Sequence, residues 1–138
     1  MKGIKKLVAV MLVLATLTAC MTVLASAEGA VQPRWTLTGS LDTQLSFSND
    51  VAIATIGYEC YESSTLSVRV TSTLQKKFML FWWTDLTTWT DTSSDYIDVF
   101  RHTYETSSGT HRLLVTFEVT DLSTGYTETI EDEVEVKN

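Results

Sequence analysis

Proline is almost absent from this chain, glycine is sparse and cysteine occurs twice. The only proline, Pro33, precedes every candidate strand, so nothing further along interrupts a β-ladder. Cys20 lies in an apolar leader, which leaves Cys60 alone downstream and excludes an internal disulfide. Cations are scarce as well. Without Lys2, Lys5 and Lys6 the chain keeps 7 Lys and Arg against 17 Asp and Glu, a formal charge of −10. Such a surface repels phosphate backbones, so nucleic acid is not an expected partner. No Gly-x-Ser-x-Gly, His-Glu-x-x-His or glycine-rich phosphate loop is present, so no catalytic signature stands out. A glycosidase needs two carboxylates across a cleft, and sequence alone pairs none of the many here. No cofactor and no metal are expected.

The leader is the clearest positive signal. Lys2, Lys5 and Lys6 are followed by an apolar run from Leu7 to Leu24 and by Ala25-Ser26-Ala27, a small-x-small cleavage pattern. Basic start, apolar middle and small-residue end read as an export signal over residues 1–27. Leu17-Thr18-Ala19-Cys20 also matches a lipobox, in which Cys20 would be lipidated. The run further approaches the length of a membrane span of ~18–20 residues. Cleavage, lipidation at Cys20 and a retained anchor all place the remaining chain outside the cytoplasm.

Residues 28–39 form a short lead-in, and residues 40–138 suffice for one domain with a core. Thr, Val, Tyr, Trp and Phe crowd this region, and apolar residues recur with period two, not 3.6. Leu41, Thr43, Leu45 and Phe47 alternate with polar neighbours up to a turn at Asn49-Asp50. Val51 to Tyr61 follows, with Ile56, Tyr58 and Cys60 on one face, so Cys60 is expected as a small buried hydrophobe rather than an intermolecular bridge. Leu66, Val68, Val70 and Leu74 then oppose Arg69, Thr71, Thr73 and Gln75. Tyr96 to Tyr104, Arg112 to Thr120 and a last run to Val136 complete the set. In Arg112 to Thr120, Leu113, Val115, Phe117 and Val119 point inward. About seven short strands without a helix predict an all-β antiparallel sandwich, with a small barrel as the alternative.

From about Ser40 to Glu133 the chain resembles the uncharacterised small secreted β-sandwich proteins of Gram-positive bacteria. Cys60, Thr73-Leu74-Gln75-Lys76-Lys77, Trp89 and Ser108-Gly109-Thr110 carry the resemblance. It implies an immunoglobulin-like sandwich and no activity. Leu113 stands where an immunoglobulin domain has its second cysteine, and His111 where it has a corner tyrosine.

One segment breaks the pattern. Lys76 and Lys77 are followed by six apolar residues, Phe78, Met79, Leu80, Phe81, Trp82 and Trp83, where a turn is due. No Gly, Pro, Asn or Asp occurs between Thr65 and Thr84. The segment reads as a strand covered on both faces or a tip packed under a loop. A second reading is an exposed tip that enters a bilayer, with Lys76 and Lys77 at the headgroups. A third reading is an aromatic platform of Phe81, Trp82, Trp83 and Trp89 that grips a glycan or protein. The echo of Trp83-Thr84-Asp85 in Trp89-Thr90-Asp91 supports the platform, since a spacing of six keeps all four residues on one strand face.

Other polar groups read as structural. His102 and His111 would approach each other in a hairpin, but they make only half a zinc site, and Asp98 and Glu105 lack ligand spacing. Asp91, Asp95 and Asp98 with Thr92, Ser93 and Ser94 form an oxygen-rich loop without an EF-hand pattern, read as a solvated turn. Glu128, Glu131, Asp132, Glu133 and Glu135 read as a charged edge strand that discourages pairing. The expected function is non-enzymatic binding or adhesion to a cell-envelope, glycan or protein ligand. The alternative is a membrane-active protein inserting Phe78 to Trp83.

Overall fold

The computed structural model describes residues 35–61 and 65–138, and Trp35–Asn138 forms a compact unit. The export signal, the Cys20 lipobox and the retained anchor lie outside the described residues. Seven antiparallel strands make up the domain: β1 (Thr38–Ser48), β2 (Val51–Cys60), β3 (Leu66–Phe78), β4 (Trp82–Ser93), β5 (Ile97–Glu105), β6 (Thr110–Asp121) and β7 (Thr127–Lys137). They form a three-stranded sheet, β1-β2-β5, and a four-stranded sheet, β4-β3-β6-β7. The chain crosses between sheets after β2, β4 and β5. In the constant-type immunoglobulin order the fourth strand joins the first sheet. Here β4 pairs with β3 instead.

Alternation builds the core. Ala52, Ala54, Ile56, Tyr58 and Cys60 of β2 are buried, and so are Leu66, Val68, Val70, Ser72 and Leu74 of β3. Leu113, Val115, Phe117 and Val119 of β6 complete the central layer. Each large apolar side chain removed from water contributes about 1.5–3 kcal/mol. Tyr58 packs on Phe117 at a ring-centroid distance of 5.2 Å and donates its hydroxyl to Asp95 O at 2.8 Å.

Two bulges adjust the ladders. Gly39 interrupts the β1–β2 register between Thr38 and Ser40. On β4, Leu74 pairs with Thr87 and Gln75 with Asp85, so Leu86 is an extra residue. An extra residue reverses the side-chain parity of everything beyond it.

One end of the sandwich gathers the β3–β4 hairpin, the β1–β2 turn, the β5–β6 loop and the end of β7. Thr106 N donates to Asp50 O at 2.7 Å, and Gly109 and Asn138 exchange backbone hydrogen bonds of 3.1 and 3.0 Å. Lys76 Nζ reaches Ser107 Oγ in the same loop. Gly109 is required there: its φ is +145°, and an added Cβ would fall 2.9 Å from Lys76 Cε.

Candidate functional site

The turn expected after Lys77 exists, made from residues that do not favour turns. Phe78 pairs with Trp82, and Met79, Leu80 and Phe81 form the connection. Met79 adopts φ +58°, a left-handed conformation in which a side chain crowds the following carbonyl. The segment is therefore neither a covered strand nor a tip under a loop. Phe81 is 83% exposed, Leu80 77%, Met79 74%, Trp82 69% and Phe78 63%. Phe78 and Trp82 have inner-face parity yet stay exposed, so the hairpin extends past the cover of the facing sheet.

Behind the tip, the outer face of the four-stranded sheet carries an aromatic and cationic stack. Lys77 pairs with Trp83, and its ammonium lies 5.3 Å from the indole centroid. The Arg112 guanidinium carbon lies 4.3 Å from the same ring. Arg112 Nε donates to Gln75 Oε1 at 2.6 Å, and Gln75 in turn donates to Asp85. Lys76 belongs elsewhere. It has inner-face parity, pairs with His111 and donates to Ser107. Of the two lysines, Lys77 is the one beside the outer face of the tip.

The four-residue platform is not assembled. Because Leu86 is a bulge, Trp83 and Asp85 share the outer face, while Trp89 and Asp91 pair with the inward residues Ser72 and Val70. The spacing of six held, but the extra residue cancelled its consequence. Trp89 stacks on His102 at 4.8 Å with an interplanar angle of 8°. His102 Nε2 lies 2.6 Å from Asp91 Oδ2, tying β5 to β4 across the side of the sandwich. Phe81 and Trp82 are at the tip, Trp83 on the outer face and Trp89 between the sheets.

The histidines are also apart, since β5 and β6 belong to different sheets and form no hairpin. His111 is fully buried, packs against Phe47 and bonds Thr106 Oγ1 at 3.0 Å and Gly109 O at 3.1 Å. Burial pushes its pKa down, against the pull of the Gly109 carbonyl. The oxygen-rich segment is not one loop: Asp91, Thr92 and Ser93 belong to β4 and Asp98 to β5. The short turn between them is bonded internally, with Ser93 Oγ donating to Asp98 and Asp95 N donating to Ser93 Oγ. Among the described residues no cluster of His, Cys, Asp and Glu is arranged to hold a metal ion.

Glu128 departs from the edge-strand reading of the acidic cluster. It is buried and accepts backbone N–H groups of Thr36, Leu37 and Thr38, the last at 3.0 Å. Burial alone would raise its pKa, but the donors, Thr36 N first, outweigh it and hold the carboxyl below its ordinary value. Glu131, Asp132, Glu133 and Glu135 do lie exposed on β7, an edge strand. A concavity over β6 and β7, lined by Leu114, Val115, Thr116, Glu131, Asp132 and Glu133, contains no histidine. Cys60 is buried and free, and burial, with the Glu128 charge, pushes its thiol up to about 11.

Only strand register brings Arg112 and Lys137 beside the tip, and nothing in their spacing along the sequence marks them as its neighbours. Lys137 pairs with Thr110, one residue before His111, the partner of Lys76.

No protein-family model matches the chain, and no curated protein matches it either. Among solved structures, the crystal structure of Spo0M, a sporulation control protein from Bacillus subtilis, is similar at 10% identity with a TM-score of 0.35. The likeness covers 75% of this chain and 51% of that chain, so this chain spans about half of that structure's length.

Proposed function

We propose that this chain is an exported, non-enzymatic binding module that docks on a bilayer through the β3–β4 hairpin tip. The observation that carries this reading is the exposure of five consecutive large apolar side chains, Phe78 to Trp82, at the end of a hairpin. Export rests on the pattern of residues 1–27.

Area and shape favour a bilayer over a protein partner. Five such side chains expose on the order of 600 Å². A stable protein interface buries about 800 Å² on each side and surrounds its apolar centre with a polar rim. A hairpin end is convex and narrow, and it suits a fluid apolar medium that closes around it. Each side chain transferred contributes about 1.5–3 kcal/mol, enough for reversible docking. Aromatic residues at this position fit the interfacial zone.

A glycan platform is less well supported. Sugar stacking needs free ring faces side by side, but Arg112 and Lys77 lie over Trp83, His102 lies parallel to Trp89, and the exposed Phe81 and Trp82 are confined to the convex tip.

The test uses the full chain with Trp35, Trp83 and Trp89 replaced by Phe, leaving Trp82 as its only tryptophan. Because residues 1–34 contain none, the emission reads the tip and not the leader. Vesicles containing brominated acyl chains should blue-shift and quench Trp82. Leu80→Ser/Phe81→Ser in the same background should abolish the quenching while far-UV dichroism stays unchanged. Unquenched Trp82 in every vesicle would overturn the reading.

A further inference from the structure

Resting on the docking proposal, we infer that the tip selects anionic bilayers and that the domain tilts on them, with the outer face of the four-stranded sheet turned toward the lipid. The basis is an uneven distribution of charge around the tip.

The Lys and Arg residues of the described domain are Arg69, Lys76, Lys77, Arg101, Arg112 and Lys137. Lys77 and Lys137 occupy the outer face in the strand rows nearest the tip: Lys77 pairs with Trp83, and Lys137 with Thr110. No carboxylate shares those pairings. One row further back, Arg112 pairs with Gln75 and Glu135, and Asp85 lies beyond Gln75. Glu133 lies 3.7 Å from Arg112, so that second row is balanced by its own anions. Lys76 keeps its charge, but it has inner-face parity and its ammonium is turned to Ser107 in the β5–β6 loop. The outer-face cations beside the tip with no facing anion are thus Lys77 and Lys137.

The other side of the same end is anionic. Asp50, in the β1–β2 turn, and Glu105, at the end of β5, are exposed and belong to the three-stranded sheet. A neutral bilayer has no preference between these sides. A bilayer of phosphatidylglycerol attracts Lys77 and Lys137 and repels Asp50 and Glu105, and the pair of forces is a torque about the inserted tip. The charge of the rest of the domain opposes this attraction and makes the orientation decisive. With 15 Asp and Glu against 6 Lys and Arg in the described residues, a net −9, an unspecific approach to an anionic surface is unfavourable. This orientation brings Lys77 and Lys137 to the lipid and keeps Asp50 and Glu105 away from it.

Attraction at an anionic surface corresponds to about a fivefold gain in affinity per lysine. Two single-tryptophan variants test the inference in the full chain, one keeping Trp82 and one keeping Trp83. Vesicles of phosphatidylcholine alone are compared with vesicles containing phosphatidylglycerol, each with a headgroup-level nitroxide quencher. Trp83 should be quenched strongly only in the anionic vesicles. Lys77→Gln/Lys137→Gln should weaken docking there by ~25-fold and abolish the Trp83 difference, leaving Trp82 quenching in neutral vesicles unchanged. Asp50→Asn/Glu105→Gln, which removes the repulsion, should tighten anionic docking while reducing the tilt. Trp82 quenched equally in both lipids, with the lysine variant indistinguishable from the parent, would overturn the selectivity and leave insertion standing. Trp82 unquenched in both would overturn insertion itself, and this inference with it.

Discussion

Arg112 and Trp83 meet on the outer face of the four-stranded sheet, with the guanidinium carbon 4.3 Å from the indole centroid. The contact joins β6 to β4 across β3, just behind the exposed tip. A planar cation can stack on the ring and still donate from Nε to Gln75, whereas an ammonium cannot do both. Both residues are partly exposed, so the cation–π contribution is modest, about 0.5–1 kcal/mol. Arg112→Lys should therefore lower the urea midpoint by an amount equivalent to ~0.5–1 kcal/mol. Arg112→Met, which keeps the stem but loses the charge and the fork, should cost at least as much. Equal stability of all three proteins would mean that the stack contributes nothing to the fold.

Acid should lower the stability of the domain in two successive pH windows, because two buried groups have lowered pKa values. His111 is buried neutral, with its folded pKa below 6.5. The unfolded chain binds that proton more readily, so the stability from neutral His111 is present above 6.5 and is lost as pH falls toward the folded value. Glu128 follows the same sign, starting from 4.5: its contribution is complete above that pH and disappears as pH falls through the lower folded value. Urea midpoints measured from pH 8 down to pH 3 should decline first in the histidine window and then in the carboxylate window. Glu128→Gln places an amide against the N–H groups of Thr36 and Leu37. It should cost about 1–3 kcal/mol at pH 7 and remove the second decline.

Strand alternation was readable wherever the decision is local. Leu113, Val115, Phe117 and Val119 point inward as their spacing requires, and the burial of Cys60 follows from its parity with Ile56 and Tyr58. Contacts that depend on register were not readable. The Leu86 bulge separates Trp83 from Trp89, and nothing in Thr84-Asp85-Leu86-Thr87 announces it, because a bulge records a mismatch with the partner strand. Glu128 looked like one more edge carboxylate, since its donors lie some ninety residues away in sequence. The tip was recognisable as an anomaly. Its exposure was not, because an apolar run has the same appearance whether or not another layer covers it.

Cys60 should be silent toward thiol reagents in the folded domain. Burial, together with the nearby Glu128 charge, pushes its thiol up to about 11, so very little thiolate exists at pH 8 and little of the sulfur is accessible. In a Cys20→Ser variant, an aromatic disulfide reagent at pH 8 should react only at the rate of unfolding. It should titrate one thiol at once in denaturing urea. Rapid modification of the native protein would place Cys60 at an accessible, activated position and reopen an intermolecular disulfide.

Met79 offers the sharpest separation of stability from docking. Its φ of +58° costs roughly 1–2 kcal/mol for a residue with a Cβ, and glycine would relieve most of this. Glycine also enlarges the unfolded ensemble, so the net gain from Met79→Gly should be smaller, ~0.5–1 kcal/mol. A turn optimised only for folding would carry Gly or Asn at this position. An apolar side chain in its place conflicts with local turn chemistry, and such conflicts concentrate at functional sites. On the docking proposal the two effects have opposite signs. Met79→Gly should raise the urea midpoint, yet require several-fold more lipid to quench Trp82, because one inserted side chain is gone. A variant that gains stability and docks as well as the parent would show that the side chain of Met79 has no part in docking. That result would shift the contact to Phe81 and Trp82, on the far side of the turn.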